Sequence, residues 1–240
     1  NNKNKNKIMK NSSDNKGAVN VDSALNKNEA LFMKNKKAII YGILAVIIIV
    51  GGYFAYNTYV AGPRQDEAST ALAKGQDYFA NQQFDKALNG DGAGYTGFKA
   101  IASDYSSTDA GNLANLYAGL CYANMNKWSD AAKYLEEYSP ADDEMISPAA
   151  VAALGDAYAH LNQLDKAVDS FKKAASMADK QSEEGATPSL SATFLIKAGE
   201  ILESQNKKDE ALQLYQDIKK KYVNAPAAME IDKYIERATK

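Results

Sequence analysis

The sequence predicts an all-α protein: one N-terminal transmembrane helix, then an α-solenoid of about four helix pairs with a C-terminal capping helix. Three observations carry that reading. Residues 38–60 form an apolar run free of Asp, Glu, Lys and Arg. From Pro63 onward, apolar residues recur at helical spacing in a composition rich in Ala, Tyr, Leu, Asp and Lys. Four glycines, Gly75, Gly119, Gly155 and Gly199, recur at intervals of 44, 36 and 44 residues. Twelve residues after each stands an alanine: Ala87, Ala131, Ala167 and Ala211. A period of that length is the signature of a stacked array.

The apolar run comes first. At about 1.5 Å per residue it spans roughly 34 Å as a helix, enough for a hydrocarbon core of about 30 Å. A lone segment in lipid must satisfy its own backbone hydrogen bonds, so it is helical despite the β-branched stretch Val46 to Val50. Lys34, Lys36 and Lys37 precede it, and Arg64 is the one basic residue close behind. This asymmetry puts the N-terminus in the cytoplasm. Tyr41 lies near one end and Tyr53, Tyr56 and Tyr59 near the other, where amphipathic rings favour the interface. A signal peptide has a shorter apolar region, closer to the N-terminus.

Charge divides at this run. Residues 1–37 hold nine lysines against Asp14, Asp22 and Glu29, a net of +6. The whole chain carries −2, so residues 38–240 carry −8. The basic segment, 1–37, is too polar to offset its ordering entropy and is expected to be a disordered tail suited to an anionic leaflet. Within it, 21–37 could wind into a loose helix. The acidic remainder argues against nucleic acid. Cys121 and His160 are the single cysteine and histidine, which excludes an intrachain disulfide and histidine-pair metal sites.

Beyond Pro63 the repeat spacing predicts helix pairs near 65–81 with 84–104 (broken), 110–125 with 128–138, 147–161 with 164–179, and 189–205 with 208–222. A final helix near 225–238 caps the stack. Three residues after each glycine stands Tyr78, Tyr122, Tyr158 or Leu202, and nine after it Phe84, Trp128, Leu164 or Lys208. Small residues let two antiparallel helices approach, with an aromatic filling the wedge beside them. In the first copy NGDGAGYTG interrupts the second helix, and 90–97 reads as a flexible insertion.

This spacing resembles the tetratricopeptide repeat (TPR) over residues 64–240. The third copy fits best, with Leu154, Gly155, Tyr158, Ala167, Phe171 and Ala174 at family positions. The second has Leu135 at the usual Phe, and the fourth has Leu202 for Tyr. The resemblance implies repeats near 65–104, 110–143, 147–180 and 189–223. It also implies a groove lined by each pair's first helix. Its positions transfer to Leu72, Gln76 and Phe79; Leu116, Leu120 and Asn124; Ala152, Asp156 and His160; and Ile196, Glu200 and Glu203. The basic clamp with which one subclass grips a terminal carboxylate is absent, so basic or apolar segments are the expected partners. Alanine at Asp156, Glu200 and Glu203 is expected to weaken their binding.

With its tail and membrane span, the chain is similar to the YfgM-like ancillary subunits of the Sec translocon. It is also similar to Bacteroidetes envelope TPR proteins, through Gly111-Asn112-Leu113-Ala114 and Gly90-Asp91-Gly92. These resemblances imply a single-pass bacterial inner-membrane protein with a periplasmic C-terminal domain. They imply a non-enzymatic scaffold for polypeptides, with the Sec translocon and periplasmic chaperones as partners. The alternative is a structural subunit of an envelope machine for secretion, division or motility.

Other chemistry lacks its context. Gly92 to Gly97 satisfies G-x-G-x-x-G, but no strand precedes it, so nucleotide binding is not expected. Asp142, Asp143 and Glu144 lack calcium-loop spacing and read as a solvated loop. Cys121 reads as a buried small hydrophobe and His160 as a residue without catalytic company. No catalytic residue, cofactor, metal or small-molecule substrate is expected.

Overall fold

The computed structural model describes residues 36–143, 145–181 and 188–240; of the basic tail expected over 1–37, residues 1–35 lie outside them, and Lys36 and Lys37 belong to the first helix instead. The chain divides into two compact units, one through Asn57 and one from Thr58. The described residues are helical, without strands, as the sequence predicts.

In the first unit, α1 covers Lys36–Tyr56 and buries none of its residues. Its aliphatic side chains point outward all round, with Ile48 and Ile49 about 70% exposed (71% and 69%). A helix apolar on every side has no polar face to give to water. It is long and apolar enough to cross a membrane. A π-helical stretch, Asn57–Ala61, follows it in sequence.

The second unit begins with α2, Gly62–Ala80, in which Pro63 occupies the first turn, where its missing N–H has no helical partner to lose. Then come α3, Phe84–Asn89; α4, Phe98–Asp104; α5, Asp109–Asn124; α6, Trp128–Glu137; and α7, Ile146–His160. They are followed by α8, Leu164–Gln181; α9, Pro188–Ser204; and α10, Lys208–Lys221. A 3₁₀ turn, Pro226–Glu230, leads into α11, Ile231–Thr239.

The glycines lie at the seams of the pairs. A Cβ on Gly119 would meet Leu135, on Gly155 Phe171, on Gly199 Tyr215, and on Gly75 both Tyr95 and Phe98. The wedge is therefore filled from sixteen residues downstream, by Leu135, Phe171 and Tyr215, not by the residue nine downstream. That nearer residue opens the second helix and lies closer to the surface. In the first repeat the equivalent residue, Phe98, has been moved seven positions on by the insertion.

Each pair turns at a residue with a left-handed backbone: Gln82, Asn126, Asn162 and Asn206, with φ of 58°, 59°, 57° and 60°. The following N–H reaches back to close the first helix, as Lys127 does to Tyr122 at 2.9 Å. Asparagine tolerates this conformation better than most side chains.

The insertion is ordered rather than flexible. Asp91 accepts hydrogen bonds from the N–H groups of Ala93 and Tyr95 at 2.8 and 3.0 Å, and from the Tyr78 hydroxyl at 2.8 Å. Lys74 Nζ lies 2.8 Å from the same carboxylate, which is 8% exposed. Tyr95 is buried, and its hydroxyl donates to the Ala87 carbonyl at 2.7 Å. Gly97, at φ +91°, allows the chain to pass against the Leu88 carbonyl.

The acidic run is not simply solvated. Asp143 caps the start of α7, accepting from the N–H groups of Met145, Ile146 and Ser147 and from the Ser147 hydroxyl. At the other end, Ile231 and Ala238 of α11 are buried, while Glu230, Lys233 and Glu236 face solvent. A polar-faced terminal helix is what a stack of repeats requires.

Candidate functional site

Polar bridges join two neighbouring pairs of first helices, α2 with α5 and α7 with α9. Gln76 donates to the Tyr117 hydroxyl at 3.1 Å, joining α2 to α5. Lys197 grips both oxygens of Asp156 at 2.8 and 2.9 Å, joining α9 to α7. Arg237 of α11 donates to both oxygens of Glu203 at 2.7 and 2.8 Å, as a further first helix would.

The twelve residues assigned to the groove by resemblance separate by depth. Leu72, Leu116, Ala152 and Ile196 are buried, at most 8% exposed; the first three belong to the core instead of an open groove, and Ile196 only shows an edge to it. All four stand three residues before their seam glycine, which turns them inward. Phe79 packs edge-on against Phe84 and Tyr117, and Leu120 is half-buried. Asn124 turns back to its own helix, donating to the Leu120 carbonyl at 2.8 Å. His160 lies flat on Trp128, ring centroids 3.7 Å apart. Gln76, Asp156, Glu200 and Glu203 reach the face the first helices share.

The acidic members are not a bare cluster. Arg237 beside Glu203 holds its carboxyl below the ordinary glutamate range, with the Tyr215 hydroxyl donating to it as well. Alanine at Asp156 or Glu203 therefore loosens the stack itself, which confounds the expected loss of binding.

Two depressions lie on this face. One, of about 340 Å³, is walled by Asp156, Ala159, Phe171, Ile201 and Ser204; the other, of about 350 Å³, by Thr193, Ile196, Ala227, Glu230 and Tyr234. Lys197 and Glu200 line both. A third, of about 530 Å³, lies between α2 and the insertion, where Asp66, Glu67 and Tyr105 line it.

These surfaces offer shape, apolar area and charge, but little reactivity. Burial pushes the Cys121 thiol up to about 12, so it stays protonated and inert. Among the described residues no three His, Cys, Asp or Glu side chains gather to hold a metal.

Residues 113–139 and 194–225 match the family model of the tetratricopeptide repeat. Those two stretches carry the signature of the repeat. The first stretch holds most of α5 and all of α6, and the second holds most of α9 and all of α10. The structure also resembles TPR-like repeats of known structure. One is a crystal structure of the nearly identical TPR-like repeats of a candidate kinesin light chain from Podosopora anserina, at 12% identity and TM-score 0.55. The match covers 72% of this chain and 86% of that one. A single-substitution variant of it matches at 13% identity and TM-score 0.54, over 72% and 85%. Identities this low carry the fold alone. No curated protein matches the sequence.

The site also contains residues that the resemblance did not supply: Lys197, Ile201 and Arg237. Lys197 and Ile201 stand one position around α9 from Ile196 and Glu200, so a wider stripe on that helix includes them. Arg237 has no local signal, because it meets Glu203 across 34 residues of chain.

Proposed function

We propose that this chain is a non-enzymatic scaffold, tethered to the bacterial inner membrane by residues 38–60, that holds extended polypeptides against its first-helix face. The observation that supports the reading is the pair of depressions along α7, α9 and α11, with apolar walls and a shared charged divide. Each has the volume of a site for a few side chains. In the similar YfgM-like proteins this domain works in the periplasm beside the Sec translocon, so translocating chains and periplasmic chaperones are the partners proposed. A tether raises the effective concentration of a groove near the membrane, so modest affinity suffices. The binding domain is taken as residues 64–240, with its repeats near 65–104, 110–143, 147–180 and 189–223 and its cap at 225–238.

The test uses the full chain in nanodiscs and reduced, amidomethylated lysozyme, a permanently unfolded basic polypeptide. The intact chain binds this probe, and Ala159→Trp and Ala227→Trp, which obstruct one depression each, reduce binding severalfold. Binding unchanged in both variants contradicts the groove reading. Retention of the chain in membranes through alkaline carbonate extraction tests the tether.

A further inference from the structure

We infer that the first-helix face selects a segment carrying a lysine or arginine between apolar side chains, and that Glu200 is the selecting group; the inference rests on the groove reading above. The two depressions meet at Lys197 and Glu200. Ala159 and Ile201 offer apolar surface on one side, and Ala227 and Tyr234 on the other.

The charges between them are unequally satisfied. Lys197 is held by both oxygens of Asp156, at 2.8 and 2.9 Å. Arg237 gives its two short bonds to Glu203, at 2.7 and 2.8 Å. Lys233 lies 2.9 Å from Glu230. Each of these cations has its own carboxylate at hydrogen-bond distance. Glu200 has no such partner. Its nearest cation is Arg237 at 3.7 Å, already committed to Glu203, and its side chain is 45% exposed. A long, half-exposed pair of this kind is among the weakest.

The chemistry of the occupant follows. An ammonium or guanidinium arriving between the depressions gives Glu200 the short, charge-assisted bond it lacks. A carboxylate arriving there meets Asp156, Glu200 and Glu230, with Lys197, Lys233 and Arg237 already engaged. A neutral side chain gains the apolar walls but leaves Glu200 as it was. The face therefore prefers cation over neutral over anion, with apolar neighbours on the ligand filling the two depressions.

The experiment titrates the full chain in nanodiscs with three fluorescein-labelled, leucine-flanked nonapeptides bearing lysine, norleucine or glutamate at the centre. Anisotropy gives the affinities. The lysine peptide binds about fivefold more tightly than the norleucine peptide, the upper range for a partly exposed ion pair. The glutamate peptide binds most weakly. Glu200→Gln abolishes the lysine preference without shifting the thermal midpoint, and so does about 1 M salt. Asp217→Asn, on the far helix α10, retains the preference. If all three peptides bind alike, or Glu200→Gln keeps the preference, the charge selection is overturned while the groove stands. If none binds, both fall together.

Discussion

The four seam glycines differ in how much room they leave, and that difference can be measured. At Gly155 an added Cβ would stand 3.2 Å from Phe171, a gap that a shift of tenths of an ångström relieves. At Gly199 it would clash with the edge of the Tyr215 ring, which is itself completely buried. Alanine gains about 1 kcal/mol over glycine in a helix interior. Gly155→Ala is therefore expected to lie within about 1 kcal/mol of wild type in urea unfolding. Gly199→Ala should lose about 1–3 kcal/mol through overpacking. Equal effects at the two sites would contradict the seam geometry.

Glu203 gives the second residue-scale expectation. Arg237 lowers its folded pKa, so its stabilisation is present above the ordinary glutamate value of about 4.3. It is lost as pH falls below that value toward the depressed folded pKa. The urea midpoint should drop between pH 5 and pH 3 in the wild type, and drop less in Glu203→Gln. The glycines are legible in the sequence because close helix approach admits few residue types. Their partners sixteen residues on are not, because Leu135, Phe171 and Tyr215 share no residue type. Likewise, the Arg237–Glu203 pair links residues 34 positions apart with no pattern between them.

At the scale of elements, the insertion is the clearest departure from the sequence reading. Its glycines suggest freedom, and Gly92 and Gly94 do stand open. The order comes from Asp91, whose partners include Lys74 and Tyr78 on another helix, and composition cannot reveal such contacts. Asp91→Ala should speed amide hydrogen exchange at Ala93 and Tyr95 while α9 and α10 keep their protection. Unchanged exchange in the loop would contradict this account of its order. The inter-helix turns, by contrast, are written in the sequence: Asn126, Asn162 and Asn206 each stand seven residues after a seam glycine. Gln82 takes the same place with a less suitable side chain, and Gln82→Asn should raise the thermal midpoint slightly.

For the molecule as a whole, the helical class and the pairing of helices follow from periodicity and the repeated small residues. The site is less legible. A strip of positions three or four apart on the first helices mixes core residues, such as Leu116 and Ile196, with surface ones such as Glu200. Only burial separates them. The charge of that strip is equally hidden, because Asp156 and Glu203 read as open carboxylates yet are held by Lys197 and Arg237. What remains is a pair of depressions, apolar-walled and divided at Lys197 and Glu200.

The claim that this face holds polypeptide is tested most directly by photocrosslinking in intact membranes. A crosslinker is placed singly at Ala159 and Ser204 on the first helices, and at Lys173 and Gln213 on the second. The account predicts adducts with polypeptides from Ala159 and Ser204 and none from Lys173 or Gln213. Adducts from the second-helix positions alone, or none from the first, would contradict it.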